Sequence, residues 1–148
     1  MEDYIPIYRD ATISYYHPVM QVYFNALDHY LAEYLKTARP NDRLMARQKL
    51  TRLSHPQVYE LSTDVYDELM RREYKPDVPY LPPEHDFHPK RNLARQKLAT
   101  LLVHRFQDLS SDVHFELARR YPDLPTRSAE GSESYIDTSD SDSVTLVG

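Results

Sequence analysis

The chain has 148 residues, of which 41% are hydrophobic and 28% are charged, and its formal net charge at pH 7 is −5. This length allows one domain of ordinary size with extensions. Because it contains no cysteine, the sequence excludes a disulfide framework and a zinc–thiolate site. No apolar run is long enough for a membrane span or a signal-peptide core, so we expect a cytosolic protein without direct membrane insertion.

Charge and glycine content argue against two further classes of function. Residues 126–148 carry five acidic residues and one basic residue, so −4 of the net −5 lies there and residues 1–125 are nearly neutral at −1. A nearly neutral domain is a poor partner for a phosphate backbone, and we expect no nucleic-acid binding. The two glycines are Gly131 and Gly148, so the glycine-rich loops of nucleotide-dependent enzymes are absent.

The first predicted element is a long amphipathic helix over residues 18–36. It follows residues 1–13, which show no sustained period and are interpreted as an extended arm. On a helical wheel its apolar side chains, including several tyrosines, span about 220°, whereas an ordinary surface helix needs a stripe of about 100°. The helix therefore either packs on both neighbouring units or leaves an exposed patch for a partner or a homodimer, since tyrosine is favoured at interfaces.

A helical hairpin is predicted over residues 43–73. Its first helix spans residues 43 to about 53, and Asp42 is a suitable N-cap for it. Ser54 and Gln57 have the spacing of a capping box, a hydroxyl followed three residues later by glutamine. The capping box predicts the start of the second helix of the hairpin.

Helix breaks are predicted to differ between this hairpin and a second one over residues 90–121. In the first hairpin, either hydroxyl of Ser62-Thr63 is able to cap a new helix, which predicts a break or kink in the second helix. In the second hairpin, residues 102–105 (LVHR) stand where the capping box stood and contain no helix breaker. We therefore expect its two helices to fuse into one longer rod.

Proline marks the boundaries between these units. Residues 75–89 hold five prolines and are predicted to be a stiff, non-helical linker. Pro122 and Pro125 are predicted to end the domain, and residues 122–148, rich in serine and acidic side chains, to form a disordered tail. Serines beside carboxylates in this tail suit either a phosphorylation switch or a solvated linker.

The two hairpins are copies of one sequence at an offset of 48 residues. Fourteen of the 27 positions from 46 to 72 are identical with their shifted partners, beginning with ARQKL at 46–50 and 94–98. A repeat of this length is one supersecondary unit that usually cannot bury its apolar face alone. The sequence therefore predicts an all-α, compact bundle of about five helices, in which a long N-terminal helix and two helical-hairpin repeats fold against each other.

The repeated segments resemble a known family. The runs ARQKLTRLS at 46–54 and ELSTDVYDEL at 60–69, followed by Arg71-Arg72, are similar to the Spa-homology repeat. This repeat occurs as a tandem pair in fungal polarisome scaffolds and in the animal GIT adaptors. On this resemblance we assign residues 14–121 to one Spa-homology domain.

The resemblance implies a non-enzymatic docking domain at the N-terminus of a cell-polarity scaffold, placed in the cytoplasm at the cell cortex or growing tip. The partners that it implies are MAP-kinase kinases, Rab GTPase-activating proteins and formin-linked actin machinery. The sequence holds no ARF-GAP zinc motif, which favours the fungal scaffold. The alternative is the adaptor domain of a GIT-like ARF GTPase-activating protein that binds an exchange-factor helix.

The chain offers little for catalysis or metal binding. The run Glu84-His85-Asp86-Phe87-His88 is a weak metal signal, because it lacks cysteine and lies in a proline-rich loop. No serine or threonine lies in a nucleophile-elbow context. We expect no catalytic residue, no metal and no cofactor.

The polar residues that the two copies share have two explanations. They form salt bridges and caps within the domain, or they form a surface for a partner, whose amphipathic helical segment lies in a groove between helices. In the second case the basic first helix of each copy meets an acidic partner segment. The residues predicted to bind partners are Arg47, Lys49, Arg52, Tyr66, Arg95, Lys97, Tyr23, Tyr30 and Tyr34.

Overall fold

The chain folds into helices joined by short turns and one longer linker. The structure, a computed structural model, describes residues 18–39 and 41–128, and no strand occurs in that part of the chain. The predicted all-α class is confirmed. The helices are α1 (residues 18–30), α2 (Ala32–Thr37), α3 (Leu44–Leu50), α4 (His55–Tyr74), α5 (Pro89–Leu98), α6 (Val103–Arg120) and α7 (residues 123–128).

The predicted N-terminal helix is a rod with a small irregularity at Leu31. This residue separates α1 from α2, yet Leu31 N donates to Leu27 O at 2.9 Å and Leu35 N donates to Leu31 O at 2.8 Å, so helical hydrogen bonding continues across it. The apolar arc is not covered completely, because Val22 is 51% exposed. The buried side chains of the rod are Met20, Tyr23, Phe24, Leu27 and Leu31.

The two repeats exchange their first helices. The short helix α3 of repeat one packs on α6 of repeat two, and α5 of repeat two packs on α4 of repeat one. The long helices α4 and α6 contact each other, and their apolar faces share one core with the N-terminal rod. The prediction that the two copies fold against each other is confirmed. Outside the rod, the buried core consists of Val58, Val65, Leu69, Phe106, Val113, Leu117, Tyr121 and Leu124.

Helix α4 begins as predicted but does not break where predicted. Gln57 N donates to Ser54 Oγ at 3.2 Å and Ser54 N donates to Gln57 Oε1 at 2.9 Å, so the capping box is present. The expected break at Ser62-Thr63 is wrong, because α4 is continuous from His55 to Tyr74. The Thr63 hydroxyl bonds back to Tyr59 O at 2.8 Å within the helix, and Ser62 is fully buried.

The second repeat does break, although its sequence contains no helix breaker. Helix α5 ends at Leu98 and α6 begins at Val103, with Leu102 in an extended conformation between them. The predicted fusion of these helices is wrong. The guanidinium of Arg72, on α4, donates to Leu98 O at 2.9 Å and to Leu101 O at 2.7 Å. A tertiary contact thus satisfies the carbonyl groups that the break leaves open.

The start of α3 also differs from the prediction. Arg43, and not Asp42, is the N-cap residue, and no side chain caps the helix. The Arg43 guanidinium instead donates to Asp112 Oδ2 of α6 at 2.8 Å. An ion pair between the two repeats therefore holds the start of α3, where the sequence predicts a local side-chain cap.

The folded part continues beyond Pro122. Residues 123–128 form α7, whose Leu124 is fully buried and whose Leu124 O accepts a hydrogen bond of 3.1 Å from Gln21 Nε2. The prediction that Pro122 and Pro125 end the domain is wrong, because proline is tolerated in the first turn of a helix, as Pro125 is here. The extended arm over residues 1–13 and the rest of the tail, residues 129–148, lie outside the described residues.

His114 of α6 joins α1 to the second repeat. Its ring stacks on Phe24 with the ring centroids 4.6 Å apart, and its Nε2 lies 3.0 Å from Asp28 Oδ1. Burial lowers the pKa of His114; the Asp28 carboxylate opposes this shift only in part, and the charge of Arg47 adds to it. The folded state therefore binds this proton less readily than the unfolded state does.

We expect the free energy of unfolding to fall as the pH drops from about 7 through the unfolded histidine pKa of about 6.5 toward the lower pKa of the folded state. Replacing His114 by glutamine removes this contribution, so His114→Gln is expected to show a flatter dependence on pH. Urea unfolding at several pH values measures the slope, with His104→Gln as an exposed histidine control. Equal slopes for the wild type and His114→Gln contradict the prediction.

Candidate functional site

Arg47 lies between the two repeats. Its Nε donates to Asp112 Oδ1 at 3.1 Å and its Nη2 donates to Ser111 Oγ at 3.3 Å. The guanidinium also lies over the ring of Phe115, 4.6 Å from the ring centroid. Only 13% of the side chain is exposed. The positive charge that was predicted to meet a partner is thus engaged within the domain.

Arg95, the counterpart of Arg47 in the second repeat, is more deeply buried and less closely paired. The residue is 3% exposed. Its Nε lies 3.6 Å from Asp64 and its Nη2 lies 3.9 Å from Asp67, both beyond hydrogen-bond range. Its Nη1 makes a long hydrogen bond of 3.5 Å to Pro82 O. The ring of Phe87 covers the guanidinium, with the ring centroid 5.2 Å away.

Two ion pairs mirror each other across the exchanged helices. Arg43 of α3 donates to Asp112 of α6 at 2.8 Å, and Arg91 of α5 donates to Asp64 of α4 at 2.9 Å. Burial raises the pKa of Asp64, and the hydrogen bonds and charge of Arg91 offset only part of that shift. Each pair joins the first helix of one repeat to the second helix of the other, so these shared residues hold the repeats together.

A buried glutamate in the C-terminal half of each long helix accepts hydrogen bonds from two arginines. Glu68 is fully buried and accepts hydrogen bonds from Arg71 Nη2 at 2.8 Å and from Arg72 Nε at 2.7 Å. Arg72 Nη2 also donates hydrogen bonds to Leu98 O at the end of α5 and to Leu101 O just after it. A cation at a helix C-terminus is also favoured by the helix dipole. The cluster thus links α4 to the exchanged helix that packs on it.

The second repeat contains the same cluster around Glu116. Arg119 Nη2 donates to Glu116 Oε2 at 2.7 Å and Arg120 Nε donates to it at 2.9 Å. Arg120 Nη2 donates to Leu50 O, at the end of α3, at 3.1 Å. Burial by itself raises the pKa of Glu116, but the hydrogen bonds from the two arginines outweigh burial and lower it. Contacts within the domain therefore account for this shared set as well.

The other predicted basic residues are free of such contacts. Lys49, Arg52 and Lys97 are exposed, and none of them forms an ion pair within residues 18–39 and 41–128. A partner is able to reach them without breaking an internal contact. Their role in partner binding stays a prediction.

The predicted tyrosines of the N-terminal rod contact both repeats. Tyr23 packs on Tyr66 of α4 with the ring centroids 4.8 Å apart, which also leaves Tyr66 half-buried. Tyr34 OH donates to Asp108 Oδ1 of α6 at 2.7 Å. Tyr30 lies 6.0 Å from the ring of Phe106. The wide apolar arc is thus used largely for internal packing, and a homodimer through this helix stays a prediction.

The linker between the repeats is held against α4 and α5. The Arg71 guanidinium donates to Val78 O. Glu84 N donates to Asn92 Oδ1 at 2.9 Å, and Asn92 Nδ2 donates back to Glu84 O at 3.0 Å. Leu81 is buried. Residues 75–88 are non-helical, as predicted, but they form a folded wall and not only a spacer.

Two adjoining hollows lie along this wall. One is bounded by the end of α4, the linker and α5 and has a volume of about 600 Å³. The other, bounded by the linker and α5, has a volume of about 610 Å³. They share Leu81 and Glu84, and we name them together the linker groove. Its apolar lining includes Met70, Tyr74, Val78, Leu81, Phe87 and Leu93, and its charged lining consists of Asp67, Arg71, Lys75, Glu84 and Arg95.

The linker groove combines exposed apolar side chains with incompletely paired carboxylates. Tyr74 is 73% exposed and Leu93 is 51% exposed. Burial raises the pKa of Asp67; Arg95 opposes the shift, while the charges of Asp64 and Glu84 add to it. A surface of this kind is suited to binding a peptide segment, because it offers both apolar area and a charge.

Sequence reasoning missed the linker groove. The sequence predicts a spacer over residues 75–89, although Val78, Tyr80, Leu81 and Phe87 are apolar or aromatic in a stretch that is otherwise polar or proline. A second signal was the exchange of Asp67 for Phe115 between otherwise similar repeats. Phe115 of the second repeat packs on Arg47 of the first, whereas Asp67 of the first repeat lines the groove.

Two negative findings concern the described residues alone. No group of three histidine, aspartate or glutamate side chains is arranged to hold a metal ion there. Within the linker run that was considered for a metal, His88 Nδ1 instead accepts a hydrogen bond of 3.0 Å from Lys90 N and caps α5. No helix between residues 18 and 128 has the length and apolar character that crossing a membrane requires.

Comparison with known proteins identifies the family. A family model described as the Spa2 homology domain (SHD) of GIT matches residues 46–74 and 94–121, which are the two repeats. A solved structure, the solution structure of SPA-2 SHD, is 42% identical in sequence to this chain, with a TM-score of 0.59. The match covers 73% of this chain and 89% of the solved chain. The chain belongs to the Spa2 homology domain family. The resemblance seen in the repeats is confirmed.

A longer relative is also similar to this Spa2 homology domain. Protein SPA2 of Saccharomyces cerevisiae is 57% identical over 51 residues, which make up 32% of the chain. The chain spans only 3% of the length of that relative. The match therefore identifies a domain, and the function of the whole relative does not follow from it.

Proposed function

We propose that this Spa2 homology domain is a non-enzymatic protein-interaction domain and that its partners dock in the linker groove. The groove supports the proposal because it is concave, partly apolar and built from elements that internal contacts hold in place. Rigid walls favour binding, since little conformational entropy is lost when a partner arrives. An amphipathic helical segment of a partner has the size and chemistry that such a groove accepts.

The proposed partners follow from the family. In a cell-polarity scaffold the domain gathers MAP-kinase kinases, Rab GTPase-activating proteins and formin-linked actin machinery at the cell cortex or growing tip. The similarity to Protein SPA2, 57% identity over 51 residues, supports this proposal. In this role the domain brings bound proteins together and performs no reaction of its own.

A second candidate is the adaptor domain of a GIT-like ARF GTPase-activating protein, which binds a helix of an exchange factor. The description of the matching family model, which names GIT, favours this candidate. Direct binding measurements separate the two. The GIT-like adaptor is supported if the domain binds the exchange-factor helix more tightly than it binds MAP-kinase kinase and Rab GTPase-activating protein segments.

We expect Leu93→Glu to weaken the binding of these partner segments by at least about tenfold, because it places a charge in the apolar part of the groove. The measurement is fluorescence polarisation with labelled partner segments and the full chain. The matched control is Met45→Glu, since Met45 occupies the corresponding position of the first repeat and is 75% exposed.

The pair of variants tests the groove and not merely the domain. Both add a glutamate to an exposed site at the same point of a repeat, so both are expected to keep the wild-type circular dichroism spectrum. Equal affinities of Leu93→Glu and Met45→Glu for every segment would place the binding surface elsewhere on the domain.

A further inference from the structure

Two carboxylates of the linker groove accept no hydrogen bond from a cationic side chain of the described residues. Asp67 is 38% exposed, and its nearest cation, Arg95, is 3.9 Å away, which is too far for a hydrogen bond. The exposed carboxylate of Glu84 forms no ion pair with the described residues. The two carboxylates line the same hollow. Burial raises the pKa of Asp67, and the charge of Glu84 adds to that shift.

The basic residues of the groove donate no hydrogen bond to either carboxylate within the described residues. Arg71 is engaged by Glu68 through two hydrogen bonds and by the linker backbone. Arg95 is buried beneath Phe87. Lys75, the remaining cation of the lining, is exposed and forms no ion pair within the part of the chain that the structure describes.

The corresponding place, between α3 of the first repeat and α6 of the second, lacks this feature. Phe115 occupies the position of Asp67 and lies against Arg47, which in turn is paired with Asp112 at 3.1 Å. This place between α3 and α6 thus presents an aromatic ring and a neutralised cation. Of these two corresponding places in the described residues, the linker groove is the one with a negative charge beside exposed apolar surface.

We propose that the linker groove selects partner segments that place an aliphatic or aromatic side chain over Leu81 and Leu93 and a lysine or arginine against Asp67 and Glu84. This inference rests on the proposed function, and it names the chemistry of the partner. An arriving ammonium or guanidinium group completes the hydrogen bonding of both carboxylates and relieves their mutual repulsion. An acidic segment, which the basic first helices had suggested, gains no such contact.

The test selects peptides of about 16 residues from a random displayed library on the immobilised full chain. We expect the enriched peptides to combine apolar residues with at least one lysine or arginine. Their affinity is expected to fall by at least about tenfold on Asp67→Asn/Glu84→Gln, and replacing the basic residue of the peptide by glutamine is expected to have a comparable effect. Glu33→Gln/Asp42→Asn removes the same number of charges from exposed sites outside the groove and serves as the control.

A second variant guards against a folding defect, because Asp67 lies beside a buried arginine. Glu84→Lys alters only an exposed side chain, and it is expected to lose basic peptides and to gain those in which the basic residue is replaced by glutamate. Acidic enriched peptides overturn the charge inference and leave the groove in place. The same conclusion follows if the enriched peptides bind Asp67→Asn/Glu84→Gln and the wild type equally but fail to bind Leu93→Glu. Peptides indifferent to Leu93→Glu as well overturn both proposals.

Discussion

Replacing Glu68 by alanine is expected to lower the free energy of unfolding by about 3–5 kcal/mol. The carboxylate is fully buried and receives both Arg71 and Arg72. Without it, two guanidinium groups lie in a largely buried site with no carboxylate between them. Because small domains are stable by only about 5–15 kcal/mol, the variant loses a large fraction of its stability. Urea unfolding followed by circular dichroism measures the loss.

The second repeat and the N-terminal rod provide matched comparisons. Glu116→Ala is expected to cost a similar amount, because Glu116 is buried in the same way with Arg119 and Arg120. Glu33→Ala removes an exposed glutamate that pairs with Lys36 at 3.0 Å, and it is expected to cost less than about 1 kcal/mol. A loss for Glu68→Ala as small as that for Glu33→Ala contradicts the view that the buried cluster joins α4 to α5.

Helix positions were predictable from the sequence where local rules decide them. The rod, the two hairpins and the capping box before α4 follow from apolar spacing and from side-chain oxygens at fixed offsets. The helix breaks were not predictable in this way. Ser62 looked like a cap but is buried in a continuous helix, while the break before Val103 depends on Arg72, which is distant in sequence. Tertiary contacts decided both cases.

The candidate site was harder to predict than the fold. Repeated polar residues draw attention in a sequence, and identity between copies does not distinguish a structural pair from a binding surface. Arg47 and Lys49 are both repeated, yet Arg47 is paired with Asp112 and Lys49 is exposed. The linker groove exists only because residues 75–88 fold back onto α4 and α5, and no periodicity in a proline-rich segment indicates that path. Asp67, which the second copy replaces by Phe115, lines the groove.

The exchange of first helices predicts that neither repeat folds without the other. Cutting the chain between residues 76 and 77 is expected to give two fragments, 1–76 and 77–148, each with little helix on its own. Fragment 1–76 keeps α3 and α4 but lacks the surfaces on which both pack, namely α6 and α5. Helix α3 has 7 residues and α5 has 10, and isolated helices shorter than about 12–15 residues are marginal in water. Mixing the fragments is expected to restore the helical signal of the intact chain, because the cut removes only one covalent connection.

The ion pairs between the repeats make this prediction specific. In the mixture, Asp112→Ala in fragment 77–148 is expected to weaken association by at least about tenfold, since Asp112 accepts hydrogen bonds from Arg43 and Arg47 of the other fragment. Asp123→Asn, at an exposed position of α7, is the control. Titration followed by circular dichroism measures the affinity. A fragment that is helical and unfolds cooperatively alone contradicts the prediction, because each repeat would then be a folding unit and the exchanged helices a secondary contact.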